Sequence, residues 1–377
     1  MSHRDARPVW GEIDLGAIAH NVGLLRQKAG RPVKILAPVK ANAYGHGMAA
    51  VSLHLQSLGV EGLATANFDD AVTARRAGVT IPILMYGSQL PSGHGELLKH
   101  GLTPSVYSAE GLEALAALAL HQQKPVPVHI KVDAGLGRIG VRLDETAAFA
   151  REILKHPQLL LEGIYTHIPF SDDQGGMWSK RRLAAFADMV RTVEAENGIT
   201  IAYAQGAASS VLSQEFPDAL NTIAPGHLVF GLHPVNGQRA ETLGFRKALK
   251  SLQAQIIHIG HRRKGDDIIG SGPDGYAADA TVGVILFGMD NGFRPAAAGQ
   301  KAHVLVHGKR CPVLAVSAEY AVVDLSAIDG PKLGDVVTII GADGGEHIAV
   351  EDVAVYEGAP SAAYWQVALR NVPFVYA

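Results

Sequence analysis

The 377-residue sequence has a single cysteine, Cys311, which excludes an internal disulfide, a CxxC redox pair and any multi-thiolate zinc site. It has no run of about 18 apolar residues, and its opening Met-Ser-His-Arg-Asp-Ala-Arg-Pro has no apolar stretch behind the charges, so neither a membrane span nor a signal peptide is expected. It also lacks an excess of charge. The 33 basic and 36 acidic residues leave a formal net charge of −3, with the basic ones scattered, so neither nucleic acid nor a membrane surface is an expected partner. HExxH, P-loop and GxSxG motifs are missing, as are low-complexity and long charged segments. These absences lead us to expect a soluble, cytoplasmic protein that acts on a small molecule.

What is present is a strand and helix rhythm. Apolar runs at 33–40, 62–66, 82–86, 102–107, 127–133, 160–167, 199–206 and 220–224 read as eight strands. Between them lie amphipathic stretches such as 48–58, which stops at Gly59, and 67–77, which Asn67 can cap and Gly78 can end. Asp144 reads as the cap of another helix, running through Lys155. Eight such units in so short a span favour a closed (β/α)8 TIM-like barrel over an open doubly wound sheet. After about residue 240 the runs at 252–259, 280–287, 302–307, 312–316, 321–325 and 335–341 follow one another without long helices. The expected architecture is an α/β barrel over residues 1–240 and an all-β domain over 241–377, with residues 1–13 available to pair with the β domain.

Val39-Lys-Ala-Asn-Ala-Tyr-Gly-His-Gly47 carries the strongest chemical signal, because it puts a lysine at the carboxyl end of an apolar strand, where barrel active sites are built. Partial burial there disfavours the ammonium and frees the amine that an imine with an aldehyde cofactor requires. A lone strand-end lysine more often points to solvent; the company of Lys40 argues otherwise. Tyr44 can donate to a phosphate, and Gly45 and Gly47 allow close backbone approach. His167, at another strand end, could contact a planar ring, or be a structural histidine. Gly135-Leu-Gly-Arg-Ile-Gly140 matches a dinucleotide fingerprint, but Val141-Arg-Leu intervenes before the next helix, against that reading. His258 and His261, three apart in a strand-like run, face opposite sides and make a poor metal pair.

Over nearly its full length the chain resembles the alanine racemase family, pyridoxal 5′-phosphate (PLP) enzymes with an N-terminal barrel and a C-terminal β domain. The motifs that carry the resemblance are Val39–Gly47, Lys131-Val-Asp-Ala-Gly-Leu-Gly-Arg-Ile-Gly, Tyr165-Thr-His, Ala207-Ala-Ser, Pro225-Gly-His-Leu-Val-Phe-Gly-Leu, Gly308-Lys-Arg-Cys-Pro and Lys332-Leu-Gly-Asp. The resemblance implies that Lys40 carries the cofactor as a Schiff base and that Tyr44 binds its phosphate, helped by the backbone N–H groups of Gly206, Gly226 and His227. His167 would contact the pyridine side. Lys131 matches a position often carbamylated in the family, where it orients an arginine, here Arg138, toward the substrate carboxylate. A homodimer with shared active sites is implied as well.

The same resemblance exposes departures. Where the family's second base, a tyrosine of the partner subunit, is expected, the segment reads Gly288-Met-Asp-Asn-Gly-Phe293, so Met289 stands there, and a thioether cannot exchange a proton. The arginine expected at the pyridine nitrogen is Ala224, the Met-Asp of the substrate loop is Ala318-Glu319, and the late phosphate tyrosine is Arg370, itself suited to an anion. Two chemistries remain open. In amino-acid racemisation or epimerisation, Glu319, Tyr320 or Tyr276 would replace the lost tyrosine; in a one-base lyase, aldolase or decarboxylase, Lys40 would act alone. Met289 and Glu319 together point to a substrate other than alanine.

Overall fold

In the computed structural model, residues 8–87, 89–169, 173–214, 219–235, 237–267, 277–359 and 361–377 are described; Tyr276 lies outside them. The chain divides into two units, residues 16–246 and residues 1–15 with 247–377.

The first unit is built on eight parallel strands: β1 (Lys34–Pro38), β2 (Gly62–Thr65), β3 (Ile83–Met85), β4 (Ser105–Val106), β5 (Val126–Asp133), β6 (Leu159–Tyr165), β7 (Tyr203–Ala208) and β8 (Thr222–Ala224). They pair in the order β3-β2-β1-β8-β7-β6-β5-β4. A parallel bridge between Leu84 and Thr103 joins the two ends, with Met85 N–H donating to Thr103 O at 2.9 Å, so the sheet closes into a barrel. Such strands bury both faces and therefore read as continuous apolar runs rather than alternating ones. Ile35, Leu63, Ile83, Val128, Ile130 and Ile164 are all 0% exposed.

The helices between strands start and stop where local chemistry dictates. Asn67 Oδ1 accepts from Asp70 N–H at the head of Phe68–Arg76, Ser108 caps Ala109–Ala119, and Gly59 and Gly78 take the positive φ that follows a helix end. Asp144 caps nothing. It pairs with Arg142 at 3.1 Å within a short 3₁₀ turn, and the helix begins later, as Thr146–Leu154, because Thr146 Oγ1 turns back to Arg142 O. Helix Asp173–Asn197 buries Leu183, Phe186, Val190 and Val193 against the barrel, each worth about 1.5–3 kcal/mol.

The second unit is antiparallel. Leu249–Arg262 pairs with Val336–Asp343 over its first half and with Ala280–Ile285 over its second. His303–Val306, Lys309–Val316 and Ala321–Asp324 complete a ring of six strands. Val9–Ile13 joins it, antiparallel to Leu249–Ala254 and parallel to Phe374–Tyr376. Among the described residues no helix is long and apolar enough to cross a membrane.

Candidate active site

The segment after β1 is the most unusual backbone among the described residues. Ala41, Asn42, Ala43 and Tyr44 have φ of 53°, 55°, 54° and 52°, one turn of left-handed helix built without glycine. Each such residue costs roughly 1–2 kcal/mol, so the turn persists only because its surroundings hold it. Asn42 Oδ1 accepts from Met48 N–H at 2.7 Å, and Asp70 Oδ2 from Asn42 N–H at 3.2 Å. His46 lies 4.4 Å above Phe230 in a stacked pair, its Nδ1 2.9 Å from Ala43 O. Burial keeps His46 neutral, with its pKa lowered to about 4.

Lys40 opens this turn at the barrel mouth. Its side chain can be reached by solvent, yet partial desolvation and the charge of Arg138 lower its pKa, so the amine is easier to free than on an open surface. Lys131, on β5, is buried; desolvation and Arg138 bring it down to about 8 although Asp133 opposes the shift. Its Nζ donates to Val132 O at 3.1 Å and stands 5.0 Å above the Tyr165 ring. The ring is fixed in turn. Ser105 Oγ donates to Met85 O, Tyr165 Oη lies 2.8 Å from Ser105 Oγ, and Gly87 N–H donates to Tyr165 Oη at 3.2 Å. His167 is lowered to about 3 by burial and then by Lys40, Lys131, Arg138 and His227, so three cationic side chains converge on a neutral imidazole. That field suits an anionic substrate group.

Arg138 is presented by the glycine-rich loop. Asp133 Oδ1 accepts from Gly135 N–H at 2.8 Å and Gly137 N–H at 3.2 Å, and Oδ2 from Arg138 N–H at 2.9 Å. A Cβ on Gly140 would run into the backbone of Val132 and Asp133. The glycines therefore fold a loop tightly against β5, with Val141–Arg142 pairing parallel to Val132–Asp133, and no helix opens at the turn as a dinucleotide site requires.

Across the mouth, the turn Gly226–Val229 follows β8. Gly226 and His227, its first residues, have N–H groups with no partner inside it. A Cβ on Gly226 would overlap the Tyr44 hydroxyl, so the bare backbone and the phenol approach closely. The Tyr44 ring packs 5.3 Å from His227 and 5.2 Å from Phe230. Burial, then Lys40 and His233, lower His227 to about 4. N–H groups without a partner in their own turn and a phenol beside a partly desolvated lysine fit a phosphorylated aldehyde bound as an imine.

Gly206 lies within β7, where its missing side chain makes room for Leu183, Phe186 and Leu220. Ser209, the serine of the Ala207-Ala-Ser motif, to which the sequence alone assigns no role, is buried just after β7; its Oγ accepts from Leu228 N–H at 3.2 Å and ties the two turns together. Ala224 is buried and offers no polar atom beyond its backbone. The sequence alone also singles out no role for Tyr86, which directly follows β3, packs 5.4 Å from Tyr165, and is raised in pKa by burial and by Tyr165 and Tyr44. An aromatic residue at the carboxyl end of a barrel strand was the available signal.

In the β unit the remaining candidates lie on two abutting loops. Met289 N–H donates to Ser317 O at 3.0 Å and Asp290 N–H to Ala318 O at 2.8 Å; a Cβ on Gly288 would collide with the backbone of Ser317, Glu319 and Tyr320. Met289, 50% exposed, Ala318, Glu319 and Tyr320 thus share one exposed edge. Arg370 N–H donates to Asn291 O at 3.4 Å, which brings the exposed Arg370 to the same loop.

A barrel mouth with a partly desolvated lysine, a phenol close to a bare backbone and a cationic field, in a chain that also carries an antiparallel β unit, is the arrangement of a PLP enzyme. Residues 13–234 match the family described as alanine racemase, N-terminal domain, and residues 249–376 match alanine racemase, C-terminal domain. An alanine racemase of Streptococcus equi subsp. equi is 34% identical over 93% of each chain, and one of Desulforamulus reducens 33% identical over 93% of this chain and 94% of its own. The crystal structure of alanine racemase from D-cycloserine producing Streptomyces lavendulae superposes with a TM-score of 0.87 at 27% identity, covering 98% of this chain and 97% of that one. The chain belongs to the alanine racemase family of PLP-dependent isomerases.

Proposed function

We propose that this protein racemises or epimerises an amino acid at Cα, with PLP held through Lys40, Tyr44, His167, Ser209, Gly226 and His227. The carrying observation is the place of Lys40 at the carboxyl end of β1, its Nζ 5.8 Å from the Tyr44 ring, with partial desolvation and Arg138 lowering its pKa. When bound, PLP supplies the electron sink that makes a Cα proton acidic. The residues do the rest. Arg138 seats the substrate carboxylate, His167 and His227 stay neutral against the ring and phosphate, and Lys40 Nζ holds the proton on one face. Met289 Sδ cannot move a proton on the other, and Glu319 and Tyr320, on the abutting loop, offer the carboxylate and phenol that can. An exposed Glu319 beside a thioether also suits a substrate with a polar or cationic side chain rather than alanine. The unit of function is a homodimer in which the partner subunit supplies this loop pair.

Incubation with D- and L-amino acids in D₂O, read by NMR and chiral separation, tests this reading. Deuteration at Cα with inversion is expected, fastest for a polar or cationic side chain. Deuteration with retention would establish the one-faced lysine chemistry instead, and alanine as the fastest substrate would remove the specificity part.

Lys131 carries a second expectation. With its pKa near 8, raising the pH from 7 to 9 takes the amine from mostly protonated to mostly free, the form that adds CO₂. A carbamate signal from ¹³C-bicarbonate should therefore grow through that interval and vanish in Lys131→Arg. A signal independent of pH, or one that survives in Lys131→Arg, would reject carbamylation here.

A further inference from the structure

We infer that Asp70, which lies on a helix and not in the barrel mouth, is a positioning residue for Lys40, acting through the left-handed turn. The inference rests on the reading of Lys40 as the cofactor lysine. Its basis is where the Asp70 carboxylate is spent. As the third residue of Phe68–Arg76, Asp70 could close a capping box by reaching back to Asn67 N–H. That N–H is already given to Thr65 Oγ1 at 3.2 Å, and Asn67 Oδ1 takes the N–H of Asp70 itself. The carboxylate turns outward, accepts Asn42 N–H at 3.2 Å, and interacts with the N–H of Ala41.

These are the first two residues after Lys40, and both are left-handed, so the N–H groups that a left-handed turn leaves aimed away from its own carbonyls meet a charged acceptor. Other supports grip the far end of the segment: Asn42 Oδ1 on Met48, His46 on Ala43 O, and the His46 ring on Phe230. At the near end, Ala43 N–H donates to Val39 O at 2.9 Å, which leaves the amides of Ala41 and Asn42 to Asp70 alone among the described side chains. A turn of strained residues held at one end would let Cα of residue 40 drift, and a displacement of about 1 Å at a reacting group can cost 10²-fold in rate.

The test compares Asp70→Ala with Asp70→Asn, which keeps a neutral acceptor. In cofactor-free protein, the amides of residues 41–44 should exchange roughly 10- to 100-fold faster in Asp70→Ala, the loss of a charge-assisted hydrogen bond, and recover in Asp70→Asn. In PLP-loaded protein, kcat should fall about 10²-fold in Asp70→Ala and return to within a few-fold in Asp70→Asn, with thermal midpoints of both variants near that of the parent. Should Asp70→Ala fail to fold, Asp70→Asn against Asp70→Ser carries the same comparison. Unchanged exchange at 41–44, or equal losses in the Asn and Ala variants, would overturn the proposal. Borohydride trapping on a lysine other than Lys40 in the parent would instead overturn the underlying reading, and the exchange measurement stands apart from it.

Discussion

Replacing Lys40 by alanine is expected to lower kcat by about 10⁴-fold or more, since on the proposed reading it removes both the amine that holds the cofactor and the proton carrier on one face. In the parent, borohydride followed by mass mapping should place the reduced phosphopyridoxyl group on Lys40; in the variant no lysine should carry it. An adduct on another lysine, or activity within a hundredfold of the parent, would refute the assignment. The same variant tests whether two subunits share each site, as proposed. Mixing Lys40→Ala chains with Glu319→Ala chains should restore about a quarter of parental activity, because half the dimers are mixed and each mixed dimer has one of its two sites complete. No recovery, with Glu319→Ala inactive alone, would mean that each site is built from one chain.

Much of this arrangement was legible in the sequence. Strands buried on both faces advertise themselves as apolar runs, and each of the eight barrel strands falls within or beside its expected run, from 33–40 against Lys34–Pro38 to 220–224 against Thr222–Ala224. Lys40 could be found because strand-end position and chemistry coincide. The glycine triplet at 135–140 could be set aside because the intervening Val141-Arg-Leu already spoke against a helix at the turn; the structure adds that Gly140 is required by its approach to β5.

The left-handed turn was not legible. Ala41-Asn-Ala-Tyr has no glycine and ordinary helical propensity, so local preference points to a right-handed helix, and only tertiary partners, Asp70, Met48 and Phe230, stabilise the alternative. The role of Ser209, within the Ala207-Ala-Ser motif, was hidden for a related reason. Its value lies in accepting Leu228 N–H from a turn 19 residues later, a contact that no local pattern announces. The packing at Gly206 was hidden in the same way, because a glycine near a strand end looks alike whatever lies beside it; here Leu183 and Phe186 fill the space that a side chain would take.

Gly226→Ala is expected to weaken PLP binding by at least 10²-fold, a larger loss than removal of the Tyr44 hydroxyl itself. Gly226 sits in a helical turn without a positive φ, so alanine meets no backbone penalty and the effect is purely one of space. Its Cβ would overlap Oη of Tyr44, with Cζ at 3.0 Å and Pro38 Cβ at 3.5 Å. Tyr44 cannot step aside cheaply. Its ring is packed against His227 and Phe230, and its backbone is the last residue of the left-handed turn, so a shift propagates toward Lys40. Tyr44→Phe removes one donor and leaves the ring, and should cost only about 0.5–1.5 kcal/mol, roughly 2- to 13-fold in affinity. If the clash is the cause, Tyr44→Ala should mask most of the Gly226→Ala loss, because the two substitutions act on one contact and cannot add. Absorbance titration with PLP across the four variants of that cycle measures the coupling. Additive losses, or Gly226→Ala binding within threefold of the parent, would show that the closeness of glycine and phenol does not shape the phosphate cradle.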